Sequence, residues 1–197
     1  MEVTNKRPTR AQTRARILEA AGEIFTSRGY EGASIDEVAA AAGLTKGAVY
    51  SSFAGKDELF FALVADRLDQ RLALVADLDD GERDMRDLLE KAEDDLAVLF
   101  TTQADWHRLF IECWARAMHD PERRVDWARR RRAARAVITD FFERAQAGSG
   151  ERLPFPAADL ALVSMALSNG LAMEHIADPD SVDPGLFART LARLVGP

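Results

Sequence analysis

At 197 residues with 47% apolar side chains, the chain is long and apolar enough to bury a core, which excludes global disorder. A single cysteine, Cys113, excludes an intrachain disulfide and suits a reducing compartment. The net charge of −7 argues against a uniformly basic nucleic-acid binder; yet residues 1–56 carry +2 and the rest −9, so attraction for phosphate is concentrated at one end.

Residues 1–16 hold Lys6, Arg7, Arg10, Arg14 and Arg16 against Glu2 alone. Pro8 stops any earlier helix, so residues 1–9 read as a mobile basic arm, although a merely solvated tail has the same composition. The stretch has no apolar h-region, and no run of about 18 uninterrupted apolar residues follows it, so the expectation is a soluble cytoplasmic protein without a membrane segment. Thr13 to Arg28 then reads as a first helix with Ile17, Ala20, Ala21, Ile24 and Phe25 on one side and Gly29 at its end. Tyr30 falls to the same small core. Arg14 and Arg16 suit a phosphate clamp, or plain solubility.

Ser34 to Lys56 carries most of the functional information. Ser34 with Glu37 is a capping box that starts a short helix, whose apolar residues are Ile35, Val38, Ala39 and Ala42. Gly43 supplies a residue that accepts positive φ, Leu44 plugs the turn, and Thr45 is the N-cap of a second helix to about Phe53. Helix, tight glycine turn, helix is the DNA-reading helix-turn-helix pattern, though small-residue helix pairs also occur in ordinary all-α packing. With Val49 inward, Thr45, Ser52 and Phe53 lie within about 60° of it, and Gly47 and Ser51 point the opposite way, flanked by Ala48 and Tyr50. So small an outer face lets the helix approach a major-groove floor. There Ala48 meets a thymine methyl, Ser51 a base edge, and Lys46 a guanine edge or a phosphate. Tyr50, Lys56, and Ser34 with its neighbouring N–H groups suit phosphate oxygens, and Thr45 and Ser52, at the two ends of the second helix, join Arg14 among the candidate DNA contacts.

The run from Thr13 to Leu63 resembles the N-terminal domain of the tetracycline-repressor (TetR) family of transcription regulators. The likeness rests on Ile17-Leu18-x-Ala20-Ala21 with Phe25 and Gly29-Tyr30, on Ser34-Ile35-x-x-Val38-Ala39, and on Lys46-Gly47-x-Val49-Tyr50-x-x-Phe53 with Lys56. Beyond about Val75 only the family's general layout is matched. The resemblance implies an N-terminal DNA-binding domain, here residues 1–55, and a larger effector-binding and dimerisation domain, residues 56–197. Where members of the family carry proline and then a serine cap, this chain has Ala54-Gly55, a substitute that forfeits a side-chain bond of a few tenths of a kcal/mol.

Lys56 to Leu78 reads as a helix about 30 Å long joining the two domains. After Asp79-Asp80-Gly81, Met85 to Leu99 is amphipathic. Trp106, Leu109, Phe110, Cys113, Trp114 and Ala117 follow at three-and-four spacing. This stripe, with His107 and Met118, reads either as plain core or as the wall of an apolar small-molecule pocket. Asp120-Pro121 starts a helix to Gly148 whose buried side carries Trp127, Ala134, Ile138, Phe141 and Ala145. At least one of the consecutive arginines Arg129 to Arg132 must lean inward, to pair with acids such as Asp87, Asp94 or Asp95 or to meet an acidic effector. Ala157 to Ile176 is apolar on two sides, and Asp183-Pro184 caps a last helix. In proteins resembling this one the last two helices pair with their copies in a dimer; burial within one subunit gives the same pattern. Phe141, Asn169, Met173 and His175 are further candidate pocket residues.

The expectation is therefore an all-α protein of about nine helices. An enzyme is disfavoured: His107, His119 and His175 are isolated, no metal or nucleophile motif occurs, and His107 and His119 lie about 240° around the helix from Cys113. The reading is a homodimeric regulator, by the habit of the family it resembles a repressor, gripping a palindromic operator and released by an unknown small molecule, with no cofactor and no metal. The rival is a helical interaction or non-specific DNA-binding module without an effector.

Overall fold

The computed structural model of the protein describes residues 8–77, 104–150 and 152–196. Among the described residues there are eight helices and no strand: α1 (Arg10–Gly32), α2 (Ile35–Ala41), α3 (Lys46–Tyr50), α4 (Lys56–Asp77), α5 (Ala104–His119), α6 (Pro121–Ser149), α7 (Ala157–Ala177) and α8 (Leu186–Val195). The all-α expectation holds. The expected helix from Met85 to Leu99 and the basic residues Lys6 and Arg7 lie outside the described residues.

The chain forms two compact units, Met1–Asp66 and Arg67–Pro197. In the first, Ile17, Ala21, Phe25, Val38, Val49 and Phe53 are essentially inaccessible, so all three N-terminal helices share one core. The start of α4 joins them through Leu59, Phe60, Leu63 and Val64. The Phe60 ring centroid lies 5.0 Å from those of both Phe25 and Tyr30, in edge-on geometry that suits the ring quadrupoles.

Local chemistry sets the helix ends. α1 begins at Arg10 rather than Thr13, because Thr9 and Gln12 form a capping box: the Gln12 N–H donates to Thr9 Oγ1 (3.2 Å) and the Thr9 N–H to Gln12 Oε1 (2.8 Å). Gly29, at φ +68°, kinks the helix where the sequence placed its end. α3 is shorter than expected, since Ser51 already serves as its C-cap, but the Phe53 N–H still donates to the Val49 carbonyl (3.0 Å) and carries the turn onward.

The second unit holds a core of Phe141, Phe142, Ala145, Leu160, Ala161, Ala172, Phe187 and Leu191, contributed by α6, α7 and α8. α6 runs through Gly148 and stops at Gly150, the residue that takes the left-handed conformation (φ +70°) and returns its N–H to the Gln146 carbonyl at 3.1 Å. Asp120 caps the start of α6 as expected, accepting from the Glu122 and Arg123 N–H groups. At α8 the N-cap is Gly185 instead of Asp183; the Asp183 carboxylate accepts from the Gly185 N–H (2.9 Å) and from Arg189 (2.8 Å). α7 buries Leu160, Ala161, Ser164, Met165 and Ala172 but exposes Leu162, Val163 and Met173.

Candidate nucleic-acid interface

Two short helices and their turn present the candidate reading surface. The Ser34 hydroxyl accepts from the Glu37 N–H (3.2 Å) and donates to Glu37 Oε2 (2.8 Å), while the Ser34 N–H donates to the same carboxylate (3.0 Å). Arg28 adds an ion pair to Glu37 at 2.9 Å. Ser34 is thus committed within the fold, and its N–H is no open donor for phosphate. Gly43 takes φ +62°, as the turn requires, and Thr45 Oγ1 accepts from the Ala48 N–H at 3.2 Å. That capping bond draws Thr45 to the helix end, so it is exposed rather than inward-facing.

α3 stands on Val49 (0% exposed) and Phe53 (2%). Opposite them Gly47 and Ser51 are exposed, Tyr50 is 48% exposed and Ala48 is half-buried. The Ser51 hydroxyl donates to the Ala48 carbonyl (2.7 Å), which leaves its oxygen outward as an acceptor. Ser52 is half-buried and its carbonyl is taken by an arginine from α1.

Two arginines of α1 bracket the pair of helices. Arg16 Nη2 donates to the Ala42 carbonyl (2.6 Å) at the C-terminus of α2. Arg14 lies 4.3 Å over the Phe53 ring and donates from Nη1 to the Ser52 carbonyl (3.4 Å) just past α3. Each cation sits where a helix exposes unpaired carbonyls and the negative end of its dipole. Arg16 therefore caps α2 from the neighbouring helix. Arg14 keeps access to solvent, because with Arg10, Ala11 and Ser52 it lines an open crevice of ≈ 380 Å³. Arg10 was readable in the sequence as a basic residue of the arm, but its place beside Ser52 was not.

Lys46 and Lys56 are both engaged. The Lys46 ammonium lies 2.8 Å from Asp36 Oδ2, and this hydrogen bond raises its pKa above the ordinary lysine value. Lys56 donates to the Glu31 carbonyl (3.2 Å) and sits 4.4 Å over the Tyr30 ring, whose hydroxyl bonds Asp57.

A capped helix pair with a bare, small-residue outer face has the geometry of a helix-turn-helix reader, and comparison with known proteins decides the family. Residues 17–63 match the model of the bacterial regulatory proteins of the tetR family, and residues 85–196 match that of the BetI-type transcriptional repressor C-terminal domain. The chain belongs to the TetR family. It is 31% identical over 134 residues to an HTH-type transcriptional repressor of Mycobacterium tuberculosis, covering 68% of this chain and just under two thirds (66%) of that protein. It is also 31% identical to an HTH-type transcriptional repressor of Streptomyces coelicolor, over 80% of this chain and 77% of the other. A bacterial regulatory protein in the tetR family from Rhodococcus, solved by crystallography, superposes with a TM-score of 0.66 at 25% identity, over 94% and 97% of the two chains. The family these relatives share is one of HTH-type transcription regulators and not of enzymes.

The residues expected at an effector pocket fall into separate places. Trp106, Phe110 and Trp114 form a run of rings on α5, with centroids 6.0 Å and 6.1 Å apart, and Trp127 of α6 joins it 5.3 Å from Phe110. Trp127 was legible as buried, but not as the partner of Phe110. His107 and Cys113, on the same helix, are buried, and Trp114 is 37% exposed. Burial pushes the Cys113 thiol up to about 12, so it stays protonated and unreactive. Phe141 instead belongs to the α6–α7–α8 core, Asn169 is half-buried on α7, and Met173 on the same helix is 48% exposed. Of the consecutive arginines, Arg131 is the one that leans inward, 5.9 Å over the Phe110 ring; Arg129 pairs with Asp126 and Arg130 reaches Asp69 at 3.9 Å. Arg71, 5.5 Å over Trp106, has its pKa lowered to about 10 by burial. The acids Asp87, Asp94 and Asp95 lie outside the described residues.

Proposed function

We propose that this regulator binds a palindromic operator as a homodimer, inserting one α3 per protomer into successive major grooves, and that a small molecule bound in the second unit releases it. The observation that carries the reading is the outer face of α3. Gly47 and Ser51 are bare, Tyr50 stands beside them, and Val49 and Phe53 fix the helix from behind. In this reading Ser51, Ala48, Gly47 and Lys46 meet base edges, while Tyr50, Thr45, Lys56 and the Arg10–Arg14–Ser52 crevice meet phosphates. Ser34 contributes through its helix and not through a free donor.

Dimerisation through α7 and α8 is supported by apolar surface that one subunit leaves uncovered. Leu162 (50%), Val163 (44%), Met173 (48%) and Leu186 (36%) are exposed on these two helices. Among the described residues α7 alone has the length and mean hydropathy (1.3) of a membrane span. Its packing on α6 and α8, and Asp159, Glu174 and His175 along it, favour a protein partner over lipid. A second copy burying the same stripe suits a twofold interface. Such a protein reads chromosomal DNA in the cytoplasm.

The Trp106–Phe110–Trp114–Trp127 group, edged by the Arg71 and Arg131 guanidinium groups, is the proposed effector region, and that edging favours a ligand with an anionic end. An effector acts only to the extent that it binds the released state more tightly. The test is selection of duplexes from a random-sequence pool, followed by footprinting and sedimentation. Two protected half-sites about one helical turn apart and a two-chain complex support the reading. A bound duplex that does not outcompete bulk DNA by about 10³ would replace it with a non-specific module.

A further inference from the structure

We propose that Asp36 is a positioning residue for base reading: its carboxylate holds the Lys46 ammonium at the entrance to α3, so that this lysine addresses one base-pair position instead of any phosphate in reach. The inference rests on the proposed role of α3. The two acids in the first turn of α2 have different fates. Glu37 is consumed inside the fold by Ser34 and Arg28. Asp36 faces solvent and meets Lys46 at 2.8 Å, ten residues away across the turn.

Lys46 needs such a partner. It is the first residue of α3, where the positive end of the helix dipole disfavours a cation, and α3 has no acid in its own first turn. Asp36 supplies that missing charge from the neighbouring helix. A free lysine samples many rotamers on a four-carbon stem and reaches many phosphate oxygens. Paired with Asp36, it samples fewer rotamers before DNA arrives, and the ammonium hydrogens not spent on the carboxylate remain for acceptors such as guanine O6 and N7. The carboxylate also places negative charge at the DNA-facing surface, which lowers affinity for any duplex that offers no base contact in return. Both side chains are more than half exposed, and exposed pairs contribute little to folding, so the consequence of this pair falls on recognition.

The test uses the full chain and a duplex that the wild-type protein has selected from a random pool. Single-base-pair variants and a scrambled duplex serve as comparisons, with affinity read by fluorescence anisotropy at several salt concentrations. Asp36→Asn raises affinity for the scrambled duplex about 3- to 10-fold and steepens log K against log salt by about 0.9 per protomer as Lys46 becomes free to neutralise a phosphate. It also reduces discrimination at one base pair per half-site by about fivefold or more, while Asp36→Glu restores the wild-type pattern. If Asp36→Asn strengthens binding to selected and scrambled duplexes equally, with discrimination intact at every position, the carboxylate merely repels DNA and the inference is wrong. Lys46→Ala separates this failure from a wider one. If it changes base preference and Asp36→Asn does not, only the role of Asp36 falls; if it changes nothing, Lys46 is no reader and both fall.

Discussion

Replacing Gly43 by alanine tests the geometry of the turn between α2 and α3. Gly43 stands at φ +62°, where a side chain costs about 1–2 kcal/mol, and the reduced freedom of the unfolded chain returns about 0.4–1 kcal/mol of that. The new Cβ would lie 3.3 Å from Arg16 Nη2, so the guanidinium must yield by a few tenths of an ångström. That guanidinium is the donor to the Ala42 carbonyl at 2.6 Å, and a charged hydrogen bond of this kind contributes about 1.5–3 kcal/mol, part of which is lost. The net expectation is a destabilisation of about 1–2 kcal/mol, or a fall in Tm of about 2–8 °C for a chain of this size. A double-mutant cycle with Arg16→Ala, read by urea and thermal unfolding, isolates the crowding. Without the guanidinium, Gly43→Ala costs less by about 0.5 kcal/mol or more. A neutral or stabilising Gly43→Ala would refute the argument from the turn, and strict additivity would refute the contact with Arg16.

Other outcomes follow from the same geometry. Tyr50→Ala, at an exposed position, leaves stability within about 0.5 kcal/mol but weakens binding to all duplexes. Lys56→Ala removes the contacts to Tyr30 and the Glu31 carbonyl and costs about 1 kcal/mol of stability as well, so melting and anisotropy measured together separate the two effects. Cys113, with its thiol near 12 and no exposed surface, stays unreactive toward a thiol-specific chromogenic reagent at pH 8 until the protein unfolds; rapid native labelling would contradict its burial. The hydrogen bonds from Arg189 and the Gly185 N–H depress the Asp183 carboxyl below its ordinary value. Its contribution is therefore present above the ordinary carboxylate range and lost as pH falls through the depressed one. The Tm difference between wild type and Asp183→Asn should narrow below about pH 4; a constant difference down to pH 3 would contradict this.

The parts of the fold legible in the sequence were those written within a few residues. Ser34 with Glu37, Gly43, and Thr45 with Ala48 are one-turn motifs, and each forms the bond its spacing predicts or takes the conformation it allows. The inward placement of Val49 and Phe53 follows from helical periodicity alone. What escaped depends on groups brought together from far along the chain. Arg14 and Arg16 look like solubility residues until Ser52 and Ala42, 38 and 26 positions away, are seen beneath them. Trp127 meets Phe110 only once α5 and α6 pack. Competing signals explain the remaining shifts. Gly148 and Gly150 are both plausible stops, and the helix uses the one whose left-handed turn returns its N–H to Gln146. Asp183 caps a turn leading into α8, whereas the sequence made it the helix cap. The Thr9–Gln12 box was readable but eclipsed by the basic arm around it.

The account's central claim is that the outer face of α3 touches base pairs, and Gly47→Glu tests it most directly. A Cβ at Gly47 meets nothing nearer than Thr45 Oγ1 at 3.9 Å, and the position is exposed, so the variant should fold with a Tm equal to or above wild type. In an electrophoretic mobility-shift titration with the selected duplex, the account predicts that this well-folded variant loses at least about 100-fold in affinity, because a carboxylate is pressed against the groove floor. Wild-type affinity and wild-type base preference in Gly47→Glu would contradict it.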